Sequence, residues 1–308
     1  MTLTRLVGVV SALILLLTSP NAAAQCGDIG VWLQVLGSGG PFGVGRASAG
    51  YLIWIDGVSR IMVDAGGGTF ARFHEAGART ADLELLALSH FHPDHSSEVP
   101  ALLWPRAGTV RIAGPSGSDG YPSVDEFLYG LFKAPDAVFR VIGPRIEFDV
   151  RTVDASARQP LEVFRAGNVT VRGIGVPHGD VPTIGYRVDV GDASIGFSSD
   201  QVGTNPAFTS LVAEADVLVV HFAASETASE DPRAITAALH AKPSVWGAMA
   251  ADARVGAVVL SHLSEPEPSH PAYSSHTDSD FEGSVAHLRS RYDGPLTVAE
   301  DLMCVPIE

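Results

Sequence analysis

The order of apolar segments predicts an α/β fold in which two β-sheets pack face to face with helices outside. Apolar runs of strand length, bounded by turn residues, are followed by segments of helical periodicity, and this order occurs twice along the chain. The 308 residues, of which 46% are hydrophobic, suffice to bury a sizeable core. We therefore expect two packed sheets rather than one doubly wound sheet.

The first half of the chain begins with short apolar runs, and helical spacing of apolar residues follows them. The predicted strands are residues 31–36, 51–55, 60–64 and 85–88, and the predicted helices are residues 98–104 and 124–132. Pro122 and Ser123 precede the second helix and are typical residues at a helix start.

The second half repeats the order of strands and helices. The predicted strands are residues 145–153, 169–176, 184–190, 193–198, 217–221 and 257–261, with two more ending at 298 and 306. The predicted helices are residues 206–213, 243–252 and 280–291, with one near 231–239. Residues 265–280 break every periodic pattern and predict a surface loop. Because no linker divides the chain, we expect residues 25–308 to form a single domain.

The first 24 residues differ from the rest. Arg5 gives a short positive start, residues 6–17 are almost wholly apolar, and Ala22 to Ala24 form an A-x-A site. This pattern predicts a cleaved secretory signal, and hence a periplasmic or secreted protein. A membrane anchor is the alternative, but the apolar run is shorter than the roughly 20 residues that a spanning helix needs.

Charge and cysteine content bear on partners and compartment. The formal net charge is −15, and Lys133 and Lys242 are the only lysines. Proteins that grip a phosphate backbone cluster basic residues, so we expect no nucleic-acid partner. Cys26 and Cys304 lie near opposite ends of the exported part of the chain, and an oxidising compartment favours a disulfide between them. Two unpaired buried thiols are the alternative.

One short segment concentrates metal-binding side chains. His90, His92, Asp94 and His95 fall within six residues, directly after a predicted apolar strand. Burying so many polar groups is costly unless something satisfies them, and imidazole with carboxylate suits zinc or a neighbouring first-row metal. On a loop, His90 and His92 can face one ion while Asp94 and His95 face a second. The alternative is a polar turn that is merely rich in histidine.

Three further candidate ligands follow predicted strands: His178, Asp200 and His262. Taken alone, a histidine at a strand end is more often a hydrogen-bonded core residue than a ligand. Together with the histidine-rich segment they complete a set of seven ligands for two Zn²⁺ or other first-row ions. The set assigns His90, His92 and His178 to one ion, Asp94, His95 and His262 to the other, and Asp200 to both.

The pattern H-x-H-x-D-H, followed by His, Asp and His at strand ends, resembles the metallo-β-lactamase superfamily. Within it, the chain looks most like the branch of ribonuclease Z and the zinc arylsulfatases. The motifs that carry the resemblance are LGSG at 36–39, VDAG at 63–66, VPHG at 176–179, GYR at 185–187, FSSD at 197–200 and LSH at 260–262. The resemblance implies an αββα sandwich with the site at one edge of the sheets.

The resemblance also suggests roles for residues outside the ligand set. Asp64 matches an acidic residue that orients the histidine loop, and a solvated turn aspartate is the alternative. His240 matches a histidine that protonates the leaving group, and a surface histidine at a helix end is the alternative. For His221, an orienting role and a buried structural role are both open.

The chain departs from the branch at several points. Glu98 replaces a usual glycine after the histidine cluster, and Pro93 lies inside the cluster. No insertion resembles the basic, glycine-rich arm with which ribonuclease Z grips transfer RNA. The closer analogy is therefore with the secreted arylsulfatases.

These features predict a dinuclear hydrolase of small-molecule esters, either phosphodiesters or sulfate esters. Two adjacent metals lower the pKa of a bridging water to about 7 and so supply hydroxide at neutral pH. Asp94 and Asp200 would position that nucleophile, and His240 would protonate the departing alkoxide. A homodimer is compatible with the sequence.

Several other functions share this fold. A lactonase or other acyl-ester hydrolase and a ribonuclease Z-like phosphodiesterase remain alternatives. Asp200 disfavours a zinc β-lactamase, which lacks a bridging aspartate there. A mononuclear iron oxygenase would need only His90, His92, His178 and Asp200, and a binding protein with a vestigial site would not need the complete ligand set.

Overall fold

A computed structural model describes residues 26–226, 239–263 and 278–308. The predicted secretory segment, nearly all of the helix predicted near 231–239 and most of the loop predicted at 265–280 lie outside these residues. Among the described helices, none combines the length and the apolar character needed to cross a bilayer.

The predicted pair of β-sheets is confirmed. In chain order, the strands are β1 Val31–Gly37, β2 Gly50–Ile55, β3 Val58–Val63, β4 Leu85–Ala87, β5 Gly108–Pro115, β6 Ile146–Val153, β7 Leu161–Ala166, β8 Val169–Val176, β9 Thr183–Val190, β10 Ala193–Phe197, β11 Val217–His221, β12 Ala257–Ser261, β13 Leu296–Val298 and β14 Cys304–Ile307. The first sheet has the order β14-β1-β2-β3-β4-β5-β6, and the second has the order β13-β12-β11-β10-β9-β8-β7.

Helices cover the outer face of each sheet. The described α-helices are α1 Thr69–Glu75, α2 Pro93–Ser96, α3 Val99–Leu103, α4 Val124–Leu128, α5 Pro206–Leu211, α6 Pro243–Ala253 and α7 Asp278–Arg289. Buried side chains form three apolar layers, one between the sheets, one under the helices of the first sheet and one under those of the second. The layers make up an αββα sandwich, as predicted.

Four of the described strands and α-helices were not predicted from the sequence. One is α2, Pro93–Ser96, since Asp94 and His95 were expected to lie on a loop. In β5, glycines and a proline flank a run in which exposed and buried residues do not alternate regularly. In β7, an edge strand, only two of six residues are buried. The short α1 buries only Thr69 and Phe73, so it has little apolar periodicity. The predicted helix at 124–132 is α4 followed by a π-helical turn, Tyr129–Lys133.

The disulfide predicted between Cys26 and Cys304 is present, and their Cα atoms lie 5.7 Å apart. Cys304 begins β14, which pairs antiparallel with β1 in the register Val31 to Ile307 and Gln34 to Cys304. The disulfide therefore fastens the segment before β1 to the strand that completes the first sheet.

Strand direction brings the polar residues of both sheets to one edge of the sandwich. Strands β3, β4 and β5 run parallel in the first sheet, and β10 to β13 run parallel in the second. Asp64 follows β3, Asp200 lies three residues after β10, and His262 follows β12. Because carboxyl ends of parallel strands meet at one edge, these side chains converge.

Candidate metal centre

The structure brings the predicted ligands together in two groups that share Asp200. One group contains His90, His92, His178 and Asp200, and the other contains His95, Asp200, His221 and His262. Within each group, one ligand atom from every residue lies within 4.8 Å of the others. The carboxylate of Asp94 lies against the second group, as described below.

In the first group, imidazole nitrogens face one another across a small gap. His90 Nε2 lies 3.0 Å from His92 Nδ1. Asp200 Oδ2 lies 3.8 Å from His90 Nε2 and 3.7 Å from His178 Nε2. His178 Nε2 is buried and has no hydrogen-bond partner among the described residues. An unpartnered buried nitrogen is costly, and a divalent metal at this point would satisfy it.

Asp94 and three residues of the second group, His95, His262 and Asp200, have the spacing of ligands around one tetrahedral ion. His95 Nε2 and His262 Nε2 lie 3.1 Å apart, and Asp94 Oδ2 lies 3.2 Å from His262 Nε2 and 3.5 Å from His95 Nε2. Asp200 Oδ2 lies 3.4 Å from His95 Nε2. Ligands at the usual zinc bond lengths are separated by about 3.3 Å in a tetrahedron. These four residues therefore suit a divalent metal.

Asp64 and Ser89 contact Nδ1 of His95 and His90, the ring nitrogens that lie away from the ligand groups. His95 Nδ1 lies 2.8 Å from Asp64 Oδ2, and His90 Nδ1 lies 3.0 Å from Ser89 Oγ. Ser89 donates from both its backbone N–H and its hydroxyl to the same Asp64 carboxylate, at 2.7 and 2.8 Å. With Nδ1 donating to these partners, Nε2 of each ring is the atom left for a metal. The sequence analysis did not identify Ser89, although it directly precedes the histidine cluster.

His178 is oriented by a backbone group instead. Its Nδ1 lies 2.9 Å from the carbonyl oxygen of Leu239, 61 residues further along the chain. A carbonyl only accepts, so Nδ1 carries the hydrogen and Nε2 presents a lone pair to the first group. No sequence signal marks Leu239, because its side chain plays no part.

Electrostatics favour binding of a cation at the shared carboxylate. Burial raises the pKa of Asp200, but the surrounding imidazoles, most strongly His262 and His95, hold that pKa well below its usual value. Burial lowers the pKa of His90 well below 6.5, which keeps its ring neutral. Burial also lowers the pKa of His95, but Asp200, Asp94 and Asp64 outweigh it and raise that pKa well above 6.5. Because a metal binds the deprotonated imidazole nitrogen, metal binding and protonation of His95 would compete.

The backbone at the site is strained. Asp64, Ser199 and His262 have φ angles of 59°, 54° and 55°, in the left-handed region that side chains with a Cβ seldom adopt. Each such residue costs about 1 to 3 kcal/mol and persists only where its surroundings fix it. All three lie at strand ends beside the two ligand groups. Strain is therefore concentrated where ligand positions are set.

Two features hold the histidine loop close to the first sheet. Gly66 lies so near the loop that a Cβ there would overlap the carbonyl oxygen of Asp94. Glu98, the residue that departs from the family pattern, accepts hydrogen bonds from the backbone N–H of Phe70 and the Thr69 hydroxyl. Glu98 therefore links the loop to the start of α1. Pro93 is the first residue of α2, where its missing N–H is tolerated.

His240 lies beside the shared carboxylate, as a residue acting on substrate would. Its Nε2 is 3.9 Å from Asp200 Oδ2, and its Nδ1 has no hydrogen-bond partner among the described residues. Burial lowers the pKa of His240 to about 3. The ring is thus neutral at pH 7 and carries one N–H. It can donate a hydrogen bond directly, but full proton transfer requires it to take up a proton during the reaction.

Both nitrogens of His221 are engaged by neighbours. Nδ1 lies 2.7 Å from Asp200 Oδ1, and Nε2 lies 3.1 Å from the Tyr51 hydroxyl. Burial lowers the pKa of His221 to about 4, so its ring is neutral. The sequence left the role of His221 open, and it did not single out Tyr51.

Two cavities open on either side of the ligand groups. One, of about 530 Å³, is lined by His178 together with Asp154, Arg158 and Thr183. The other, of about 770 Å³, is lined by Asp94 together with Arg46, Arg72 and the glycines near Gly67. Both fall in the range of small-molecule sites.

Comparison with known proteins agrees with this geometry. Ribonuclease Z from Mycobacterium sp. (strain KMS) is 31% identical over 182 residues, covering 55% of this chain and 61% of that protein. Ribonuclease Z from Mycobacterium marinum is 29% identical over 245 residues, covering 75% of this chain and 85% of that protein. The short form of human tRNase Z has a similar fold, with a TM-score of 0.66, 18% identity and coverage of 90% and 99% of the two chains.

The chain thus spans 61% of the length of the first of these relatives. The sequence model of the beta-lactamase superfamily domain matches residues 59–263, which is more than half of the chain and includes every predicted ligand. The resemblance to ribonuclease Z inferred from the motifs is also confirmed by the relatives above. The chain therefore belongs to the metallo-β-lactamase superfamily.

Proposed function

We propose that this protein is a two-zinc phosphodiesterase that acts on small phosphodiesters in the periplasm or outside the cell. The observation that carries the proposal is the position of Asp200 Oδ2, which lies 3.4 to 3.8 Å from imidazole nitrogens of both ligand groups. A pair of divalent ions supplies a hydroxide nucleophile at neutral pH and positive charge to stabilise the transition state.

The chain's own residues then have separate tasks. Five imidazoles of the two groups would hold the ions, those of His90, His92, His178, His95 and His262, and Asp200 belongs to both groups. Asp94 reaches the second group and also lines the larger cavity, so it can accept a hydrogen bond from a nucleophile on the substrate side. His240, with Nε2 3.9 Å from Asp200 Oδ2, is the candidate donor to the leaving-group oxygen.

A small substrate is favoured over transfer RNA by three features. β9 and β10 pair antiparallel, with Val190 opposite Ala193 and Tyr186 opposite Phe197, and only residues 191 and 192 join them. No basic, glycine-rich arm is inserted between these two strands. The net charge of −15 also disfavours binding of a nucleic acid, whose phosphate backbone is held through many basic contacts. Export, proposed from residues 1–24, would separate the enzyme from cytoplasmic RNA.

The function is tested by turnover and metal analysis on the same preparation. Protein reconstituted with zinc should bind two ions per chain and hydrolyse bis(p-nitrophenyl) phosphate, and a chelator should abolish both. Parallel assays with aryl sulfate, lactone, cephalosporin and precursor transfer RNA address the other functions. One ion or none would contradict the dinuclear site, and faster turnover of any of the other substrates would replace the phosphodiesterase assignment.

His240 is tested through the leaving group. His240→Ala should slow phosphodiesters with alkyl leaving groups more than nitrophenyl esters, which depart without help, by roughly 10² to 10⁴-fold. Metal content should stay at the wild-type value, because His240 is not among the proposed ligands. His287→Ala, at a helix end outside both ligand groups, is the control. Equal slowing of both esters, or loss of an ion, would exclude the donor role.

A further inference from the structure

The histidines of the second ligand group differ in what their two nitrogens contact. His95 contacts Asp64 through Nδ1, which leaves Nε2 directed at the other ligands. His262 also directs its Nε2 at the ligands of this group. His221 has no nitrogen left, because Nδ1 contacts Asp200 Oδ1 at 2.7 Å and Nε2 contacts Tyr51 Oη at 3.1 Å. A separation of 2.7 Å suits a hydrogen bond rather than the roughly 3.3 Å between ligands of one tetrahedral ion.

The contacts of His221 continue across the sandwich. Tyr51 lies on β2 in the first sheet, whereas His221 and Ser261 lie on β11 and β12 in the second sheet. The Tyr51 hydroxyl is 2.9 Å from Ser261 Oγ as well as 3.1 Å from the imidazole. All four side chains, including Asp200, are at most 2% exposed. A buried, fully paired set of this kind has one geometry, because any broken contact leaves a polar group unsatisfied.

We propose that His221 is a positioning residue rather than a metal ligand, and that Tyr51 fixes its ring. The Nδ1–H of His221 holds Asp200 Oδ1, and this contact aims Oδ2 between the two ligand groups. The backbone N–H of His221 in turn donates to Ser198 Oγ, two residues before Asp200. Asp94 is then the residue that completes the second group. This inference rests on the proposed two-ion site.

The proposal predicts graded effects on zinc affinity. Tyr51→Phe and His221→Ala should each retain two ions at saturating zinc, with affinity for the weaker ion reduced roughly 10- to 100-fold, as is usual when a partner of a ligand is removed. His221→Asn, whose amide nitrogen can stand near Nδ1, should restore much of the loss. Tyr186→Phe is the matched control, because it removes another buried hydroxyl, bonded to the Leu88 carbonyl.

Affinity is measured by competition with a chromogenic chelator, which needs no substrate, and the cobalt-substituted proteins are compared by visible absorption. We expect unchanged band positions in Tyr51→Phe and His221→Asn, and a kcat that falls with little change in KM.

Loss of one ion at saturation in both His221 variants would make His221 a ligand and overturn the proposal. Wild-type zinc affinity in all three variants, Tyr51→Phe, His221→Asn and His221→Ala, would also overturn it. If the wild-type chain itself bound fewer than two ions, the proposed function would fail instead.

Discussion

Asp200→Asn should reduce kcat/KM by on the order of 10³-fold or more and leave fewer than two ions per chain. A metal ion contributes several kcal/mol to transition-state stabilisation, and each 1.36 kcal/mol is a factor of ten in rate. Among residues 26–226, 239–263 and 278–308, the substitution removes the one carboxylate shared by both groups, which lies 3.4 to 3.8 Å from their imidazole nitrogens. Steady-state kinetics with bis(p-nitrophenyl) phosphate and metal analysis by mass spectrometry measure the two effects.

Asp216→Asn is the matched control for this substitution. Asp216 is a half-buried aspartate directly before β11, and its carboxylate accepts hydrogen bonds from the backbone N–H and hydroxyl of Ser194. It belongs to neither ligand group. The control should keep wild-type metal content and turnover even if its stability falls. An Asp200→Asn protein that retained both ions and a tenth of the activity would contradict the shared-ligand role.

Loss of the disulfide should have the largest effect on stability. Replacing both Cys26 and Cys304 with serine should lower the free energy of unfolding by roughly 5 to 6 kcal/mol, because the disulfide closes a loop spanning 278 residues in the unfolded chain. For a protein of this size, that change corresponds to a Tm lower by roughly 8 to 15 °C. Thermal unfolding followed by circular dichroism measures it.

Reduction provides the control within the same experiment. A reductant should lower the Tm of the wild-type protein to near that of the double-serine protein, and it should leave the Tm of the variant unchanged. Equal Tm values for the oxidised wild-type protein and the variant would show that the disulfide adds no stability. A reductant effect on the variant would point to a cause other than this disulfide.

The fold class and most elements could be predicted because their patterns are local. β11 and β12 match the predicted ranges 217–221 and 257–261 residue for residue, since both are short, continuous apolar runs. The predicted ligands could be found for a related reason: four of them fall within six residues, and the others lie one to three residues after apolar strands. In each case a short stretch of sequence contains the whole signal.

The parts that could not be predicted depend on contacts between distant segments. Tyr51 and His221 are 170 residues apart and lie in different sheets, so no spacing in the sequence relates them. The orienting contact of His178 uses a backbone carbonyl, which every residue has. In β7 the edge position removes the alternation of buried and exposed residues on which strand prediction depends.

The pairing of β14 with β1 has a consequence for how the chain folds during synthesis. Until residues 304–307 are available, one side of β1 has unpaired backbone groups along a largely apolar strand. Such an edge is a template for pairing with other chains, and contacts between segments so far apart form slowly. A nascent chain therefore carries an aggregation-prone edge until its last strand emerges, and that strand is the element that covers it.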